Sequence, residues 1–326
     1  MMPALALTCG EPSGIAPEIT AAAWQALHDQ GKYAFFLIGE PQLIASIPVE
    51  VITNPEDATK IFSRALPVLP SPMGEVNVGK PSANNGPHVI ASIDRAVALT
   101  LSGQASGIVT NPIQKESLYQ AGFQFEGHTD YLEHLAKQAG HDAHSVMMLA
   151  APGLRTVPIT VHIALKDVPL ALTREIIESQ CRVTAQGLQK HFAIVRPRLG
   201  ITGLNPHAGE NGAMGDEEIR IIKPAIEALR AEGLDVTGPL PADTIFHEEA
   251  RSAYDVIMCM YHDQALIPVK TIGFHEGVNC TLGLPFIRTS PDHGTGLGIA
   301  GLGKANPLSL ISAIRMAGDM AARGKR

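Results

Sequence analysis

Short apolar runs alternate with stretches of helical periodicity along almost the whole chain. Residues 4–9 (ALALTC) read as a first strand. Ser13 and Gly14 then open a helix with Pro17 in its first turn and Ile15, Ile19, Ala22 and Ala26 on one face. Residues 34–39 (AFFLIG) are a second strand. Val89, Ile93, Val97 and Leu101 recur every four residues and predict a helix over 88–101. Residues 107–110 form a strand that runs into Asn111-Pro112, and the spacing of Asp130 and Glu133 is that of a capping box at a helix start. Neighbouring strands follow over 146–150 and 156–162. Helices are expected over 173–190 and 216–231, the second kinked or delayed by Pro224. Residues 254–260 are a continuous apolar strand, and 307–322 a last helix. This alternation predicts an α/β chain with a largely parallel sheet covered by helices on both faces. Ligands in such sheets bind beyond the carboxyl ends of the strands.

Composition narrows the function. At 326 residues the chain makes two domains or one large α/β unit, and 45% hydrophobic against 17% charged residues is ample material for a core. Twenty-five basic against 32 acidic residues, a net charge of −7 and 5% aromatic residues argue against nucleic acid as a partner. No apolar run approaches the roughly 18 residues of a membrane span, so no membrane partner is expected. The N-terminus has neither the basic stretch nor the apolar stretch of an export signal, which gives a cytoplasmic expectation. Cys9, Cys181, Cys259 and Cys280 are scattered without a CxxC pair and read as reduced, buried thiols.

Three histidines share one context. His162 ends the run TVPITVH, His207 follows LGITGL within NPHAGENG, and His262 follows YDVIMCMY. Each falls at or just past the carboxyl end of an expected strand. A single histidine so placed is ordinarily structural. Three from different strands suit a transition metal with a position left for substrate. Asp243 and Asp263 are candidate oxygen ligands or hydrogen-bond partners of the imidazoles, although either alone reads as a loop or capping carboxylate. A second group is directed at an anion. Gly127-His128-Thr129-Asp130 opens a helix, whose free N–H groups favour a phosphate as well as an ordinary cap. Lys270, Asn279 and Arg288 lie in three successive segments read as loops, where an arginine can fork onto two phosphate oxygens. Near the C-terminus, residues 296–301 match GxGxxG and 298–304 match GxxxxGK. The first follows no strand of a βαβ unit, and the second has Ala305 where magnesium needs a hydroxyl, so neither standard reading applies.

These residues sit in eight stretches that run in order along the chain: GEPSGIAPEI (10–19), IVTNPIQK (108–115), GHTDYL (127–132), TVHIALKDV (160–168), LNPHAGENG (204–212), PADTIF (241–246), MYHDQALIPVK (260–270) and GLPFIRTSPDHGT (283–295). Together they resemble the 4-hydroxythreonine-4-phosphate dehydrogenase family of pyridoxal 5′-phosphate biosynthesis. The resemblance implies two α/β/α subdomains of isocitrate/isopropylmalate dehydrogenase-like type with an active-site cleft between them. Residues 1–126 and 286–326 would form the cofactor side, and 127–285 the metal, substrate and dimerisation side. It implies a divalent metal on His162, His207 and His262, with zinc first and magnesium or cobalt as the other candidates. It implies a phosphorylated substrate on His128, Thr129, Lys270, Asn279 and Arg288, and a homodimer with the active site near the subunit interface. Asp263, a lysine such as Lys270, or a metal-bound hydroxide are the candidate proton acceptors. The isocitrate-type cofactor loop is matched by His293-Gly294-Thr295 through Gly301, then Ala305-Asn306-Pro307, with departures at Gly296 and Gly298. That places a nicotinamide cofactor along Gly294, Thr295, Ala300 and Asn306. Lys304 is the one basic residue expected near the loop, so NAD is expected in preference to NADP.

The implied reaction is oxidation of 4-phosphooxy-L-threonine to 2-amino-3-oxo-4-phosphooxybutanoate, which decarboxylates to 3-amino-2-oxopropyl phosphate. A dehydrogenase for 4-phospho-D-threonate or 4-phospho-D-erythronate would carry nearly the same motifs. A metal-dependent phosphohydrolase or aldolase would use the histidines without nicotinamide.

Overall fold

The computed structural model describes residues 2–44 and 46–324. In chain order the strands are β1 Leu5–Thr8, β2 Phe35–Gly39, β3 Val49–Val51, β4 Leu66–Pro70, β5 Ile108–Val109, β6 Val146–Ala151, β7 Leu154–Pro158, β8 Arg198–Thr202, β9 Asp235–Leu240, β10 Val256–Cys259, β11 Val278–Leu282 and β12 Arg288–Pro291. They divide between two compact units, residues 1–145 with 278–326 and residues 146–277.

The first unit carries the strand order β3-β4-β2-β1-β5-β12-β11. All its pairings are parallel except β11 with β12. The four residues of β1 are all buried, as a central strand with both faces covered requires. The helix Ala16–Leu27 starts with Pro17 in its first turn and buries Ile19, Ala23, Trp24 and Leu27, and the Trp24 indole donates to the Phe62 carbonyl at 2.9 Å. The helix Gly86–Leu101 buries Val89, Ile93 and Val97, the stripe that the four-residue repeat predicted. The last helix, Leu308–Arg323, packs on β12.

Helix His128–Gln138 and strand β11 belong to this unit rather than to the one that holds residues 146–277, unlike the division expected at 127–285. The Tyr131 hydroxyl of that helix bonds Asp94, and Cys280 of β11 pairs with Thr289 of β12. The Asp130–Glu133 pair does not cap the helix, because its N-cap is Gly127 and both carboxylates lie inside it. Glu133 instead accepts the Ser145 N–H at 2.7 Å and Lys137 Nζ at 2.6 Å.

In the second unit the order is β6-β7-β10-β8-β9. β6 and β7 form an antiparallel hairpin, and the other pairs are parallel. Its core joins Leu149, Leu154, Ile245, Ile257, Cys259, Ala265 and Val269. Ahead of Pro224 the chain makes a π-helical run, Glu218–Ile222, and then the helix Lys223–Ala231. A proline cannot donate to the preceding turn, so the break falls where the sequence placed it. The run Leu266–Val269, read as strand-like, lies inside the helix His262–Gly273. A four-residue apolar run does not by itself distinguish a strand from a buried helix segment. Asn279 and Arg288 lie on paired strands rather than in loops. All four cysteines are free and buried, and burial pushes the Cys9 thiol up to about 12. Among the described residues no helix is long and apolar enough to cross a membrane.

Candidate active site

The histidines of the second unit stand beyond its strand ends. β7 ends at Pro158, and His162 follows in a turn with φ of 53°. His262 is the first residue of the helix that leaves β10. Their rings come together with centroids 5.7 Å apart. His207 opens a run in which His207, Ala208, Gly209, Glu210 and Asn211 all take left-handed backbone angles. Each non-glycine residue there costs about 1–2 kcal/mol, so the surroundings must hold the segment in place. Buried Glu218 does so. It accepts the N–H groups of Leu204 and Asn205, both at 2.8 Å, and the Asn205 amide at 3.0 Å. Gly209 passes so close that a Cβ would stand 2.6 Å from Glu218 Oε2. Gln264 ties the neighbouring strand ends. It accepts from Thr202 Oγ1 and the Met260 N–H, both at 2.7 Å, and donates to the Gly203 carbonyl at 2.9 Å. Neither Glu218 nor Gln264 was identified from the sequence, because a buried polar brace has no spacing signature.

The imidazoles are oriented by carboxylates. His262 Nδ1 lies 2.7 Å from Asp263 Oδ1, and His207 Nδ1 lies 2.9 Å from Glu210 Oε1. The Glu210 contact raises the His207 pKa, and the charge of Asp243 adds to it. In both histidines Nε2 is left facing away from the carboxylate, the arrangement usual for metal-ligating imidazoles. The donor chemistry therefore suits a divalent cation. The geometry of one chain is incomplete, since among the described residues no three His, Cys, Asp or Glu side chains stand close enough to hold one ion. His162, His262 and Asp263 line a cavity of about 280 Å³ with Thr160, Leu165 and Tyr261. Tyr261 and Asp263 also line a second cavity of about 400 Å³, which includes Asp243 and Gln264. His207 and Lys270 line neither.

The anion-directed residues of the first unit converge more closely. In the antiparallel pair Thr281 faces Arg288 and Asn279 faces Ser290, so Asn279, Thr281 and Arg288 share one face of the ribbon. Arg288 is only 3% exposed. Its Nη1 and Nη2 donate to the hydroxyls of Thr281 at 2.9 Å and Thr110 at 2.8 Å. Its Nε, Asn279 Oδ1 and His128 Nε2 are buried with no hydrogen-bond partner among the described residues. Burial brings the guanidinium down to about 10, still fully charged at neutral pH. His128 is held well below the usual histidine range by burial first, then by the charges of Arg288 and Lys115. The imidazole is thus neutral, on the first turn of the His128–Gln138 helix, with Thr129 next to it. A neutral ring, a buried guanidinium and a helix N-terminus are groups whose chemistry suits an anion.

Thr295, Gly294, Ala300 and Asn306 lie in one stretch ahead of the last helix, which includes the short turn Leu297–Ile299. The Thr295 carbonyl accepts the Ile15 N–H at 2.9 Å, and a Cβ on Gly14 would stand 2.5 Å from that oxygen. Thr295 Oγ1 donates to Gln114 Oε1 at 3.3 Å. The Glu18 carboxylate accepts the Gly301 N–H, while its Oε2 is buried without a partner. The loop therefore has a carboxylate beside it, on the first helix rather than at position 298. Buried Glu11 accepts the Ser13 N–H at 3.0 Å and the Ser117 hydroxyl at 3.3 Å, and burial raises its pKa. Gly298 has open space where a side chain would project.

With this geometry in place, the comparisons agree with one another. A family model described as pyridoxal phosphate biosynthetic protein PdxA matches residues 26–317. A protein of Caulobacter vibrioides named 4-hydroxythreonine-4-phosphate dehydrogenase is 53% identical over 326 residues, covering 98% of each chain. A crystal structure of the enzyme of that name from Klebsiella pneumoniae superposes with a TM-score of 0.86 at 37% identity, covering 98% of each chain. A terephthalate 1,2-cis-dihydrodiol dehydrogenase from Burkholderia xenovorans matches with a TM-score of 0.66 at 26% identity, over 97% of this chain and 98% of that one.

Proposed function

The chain belongs to the family of pyridoxal phosphate biosynthetic protein PdxA and is an oxidoreductase, and from that premise we propose that it oxidises 4-phosphooxy-L-threonine with a nicotinamide cofactor. The observation that carries the substrate is the unpartnered, buried set of His128 Nε2, Asn279 Oδ1 and Arg288 Nε. Unpaired buried polar atoms cost stability, and a ligand whose phosphate accepts from Arg288 Nε and His128 Nε2 and whose hydroxyl or ammonium group donates to Asn279 Oδ1 would satisfy all three. His128, Thr129, Lys270, Asn279 and Arg288 hold the phosphate and its neighbouring groups. That anchoring fixes the distant secondary alcohol for reaction. Hydride passes from the carbinol carbon to the nicotinamide, and the hydroxyl proton goes to a base, for which Asp263 and Lys270 are the candidates. The product is 2-amino-3-oxo-4-phosphooxybutanoate, a β-keto acid that loses carbon dioxide to give 3-amino-2-oxopropyl phosphate. A divalent metal on His162, His207 and His262, zinc first among the candidates with magnesium and cobalt behind it, would supply charge stabilisation for the oxygen at that carbon.

A single chain brings only His162 and His262 together, so in this reading a homodimer completes the metal set. The apolar surface beside these histidines supports a subunit contact there, with Ile163, Leu165, Leu170 and Ile267 all exposed. The proposed activity is tested by mixing enzyme, phosphosubstrate and NAD and following absorbance of the reduced nicotinamide. A panel with 4-phospho-D-threonate and 4-phospho-D-erythronate decides the substrate. No reduced cofactor with any of the three would overturn the dehydrogenase reading for this chain.

The cofactor is placed along Gly294, Thr295, Ala300 and Asn306, with NAD preferred to NADP. Gly298→Asp tests this, because the side chain fits without collision and would face a ribose hydroxyl. The expected result is a KM for NAD lowered about threefold to tenfold and a KM for NADP raised at least as much, from one hydrogen bond gained and one charge opposed. Unchanged KM values for both would place the dinucleotide elsewhere.

A further inference from the structure

Lys115 has no role in the site as described so far, and its surroundings give it one. It is the first residue of the helix Lys115–Gln120. A methyl group added at Gly127, the N-cap of the His128–Gln138 helix, would stand 4.0 Å from Lys115 Nζ and 3.8 Å from its Cε. The ammonium therefore lies against the N-terminus at which His128 and Thr129 begin. It is exposed and forms no hydrogen bond or ion pair among the described residues. A lysine that lies against a helix N-terminus adds positive charge where the backbone already presents it. The second, independent observation is Arg288, 3% exposed, whose Nε is buried with no hydrogen-bond partner among the described residues. Arg288 and Lys115 are the two cations whose charges act on the His128 ring.

We propose that Lys115 is a further cationic ligand of the substrate phosphate, acting together with the buried guanidinium of Arg288. This rests on the reading that His128, Thr129 and Arg288 take that phosphate. The division of labour follows from chemistry. Arg288 is rigid, buried and pre-aligned by Thr110 and Thr281. Lys115 is a mobile point charge at the solvent side, suited to capturing a dianion and covering it once bound. Its neighbour Gln114 accepts the Thr295 hydroxyl of the cofactor loop. One short segment thus carries one residue for the phosphate and one for the nicotinamide side.

The test uses the full chain and inorganic phosphate as probe, by calorimetry without substrate and as a competitive inhibitor during turnover. For Lys115→Gln the expected result is a phosphate Kd and a substrate KM each raised about threefold to tenfold, the size of a partly screened charge contact, with kcat close to wild type. Lys115→Arg should restore most of the loss. Arg288→Lys serves as the reference. If Arg288→Lys weakens phosphate binding and Lys115→Gln does not, the phosphate site stands and Lys115 is not part of it. If neither variant changes phosphate binding, the site reading itself falls and takes this proposal with it. Because Lys115 is exposed, an unchanged melting temperature for Lys115→Gln is expected, and a second variant, Lys115→Ala, should match it.

Discussion

Replacing Arg288 by lysine is expected to lower kcat/KM for the phosphorylated substrate about 10- to 150-fold, the equivalent of about 1.5–3 kcal/mol for a lost hydrogen bond to a charged group. The argument is geometric before it is electrostatic. Two guanidinium nitrogens are already committed to Thr281 and Thr110, and Nε faces away from both without a partner. A planar fork can hold those hydroxyls and still present a donor to a phosphate oxygen. A lysine ammonium is a single centre. If it reaches the phosphate it abandons at least one buried threonine hydroxyl, and if it keeps the threonines it misses the ligand. The loss should therefore appear mainly in KM. An unphosphorylated analogue of the substrate should show a much smaller difference between wild type and variant. Steady-state kinetics with both substrates measures this. A variant with wild-type KM and kcat would show that Arg288 serves only to join β12 to its neighbours.

The fold and the site were legible in the sequence to different degrees. The repeat of Val89, Ile93 and Val97 marked one helix, and the buried run at β1 marked a central strand, because periodicity reports burial directly. The segments around Lys270, Asn279 and Arg288 have the sequence signals of loops but form a helix and two strands. Turn-forming glycines flank β11 and β12, and Pro268 sits inside a helix, so local signals pointed the wrong way while tertiary packing decided the outcome. The histidines were found because three of them repeat one context. Glu218, Gln264 and Glu18 were not, since each acts through residues far away in sequence or across a turn. Glu18 illustrates the point. The stretch 293–307 lacks an aspartate at position 298, yet a carboxylate reaches Gly301 from a helix nearly 300 residues earlier in the chain.

Each of His162→Ala, His207→Ala and His262→Ala is expected to abolish metal-dependent turnover without unfolding the chain, because His162 and His207 are exposed and His262 is half-buried. The sharper expectation concerns mixtures. His162 and His262 lie together in one chain, while no third ligand joins them among the described residues. If His207 comes from the second subunit of a two-fold dimer, a mixed dimer of His162→Ala and His207→Ala chains has one ruined site and one intact site. Random reassociation makes half of the dimers mixed, so about a quarter of wild-type activity and bound metal should return. A mixture of His162→Ala with His262→Ala should return nothing, since both losses fall on the pair that one chain supplies. Refolding or co-expressing the two variant chains and assaying activity together with metal content reads out both cases. Recovery from the second mixture but not the first would assign the pair to different subunits. No recovery from either would mean that a single chain holds all three imidazoles after rearranging the left-handed turn at His207.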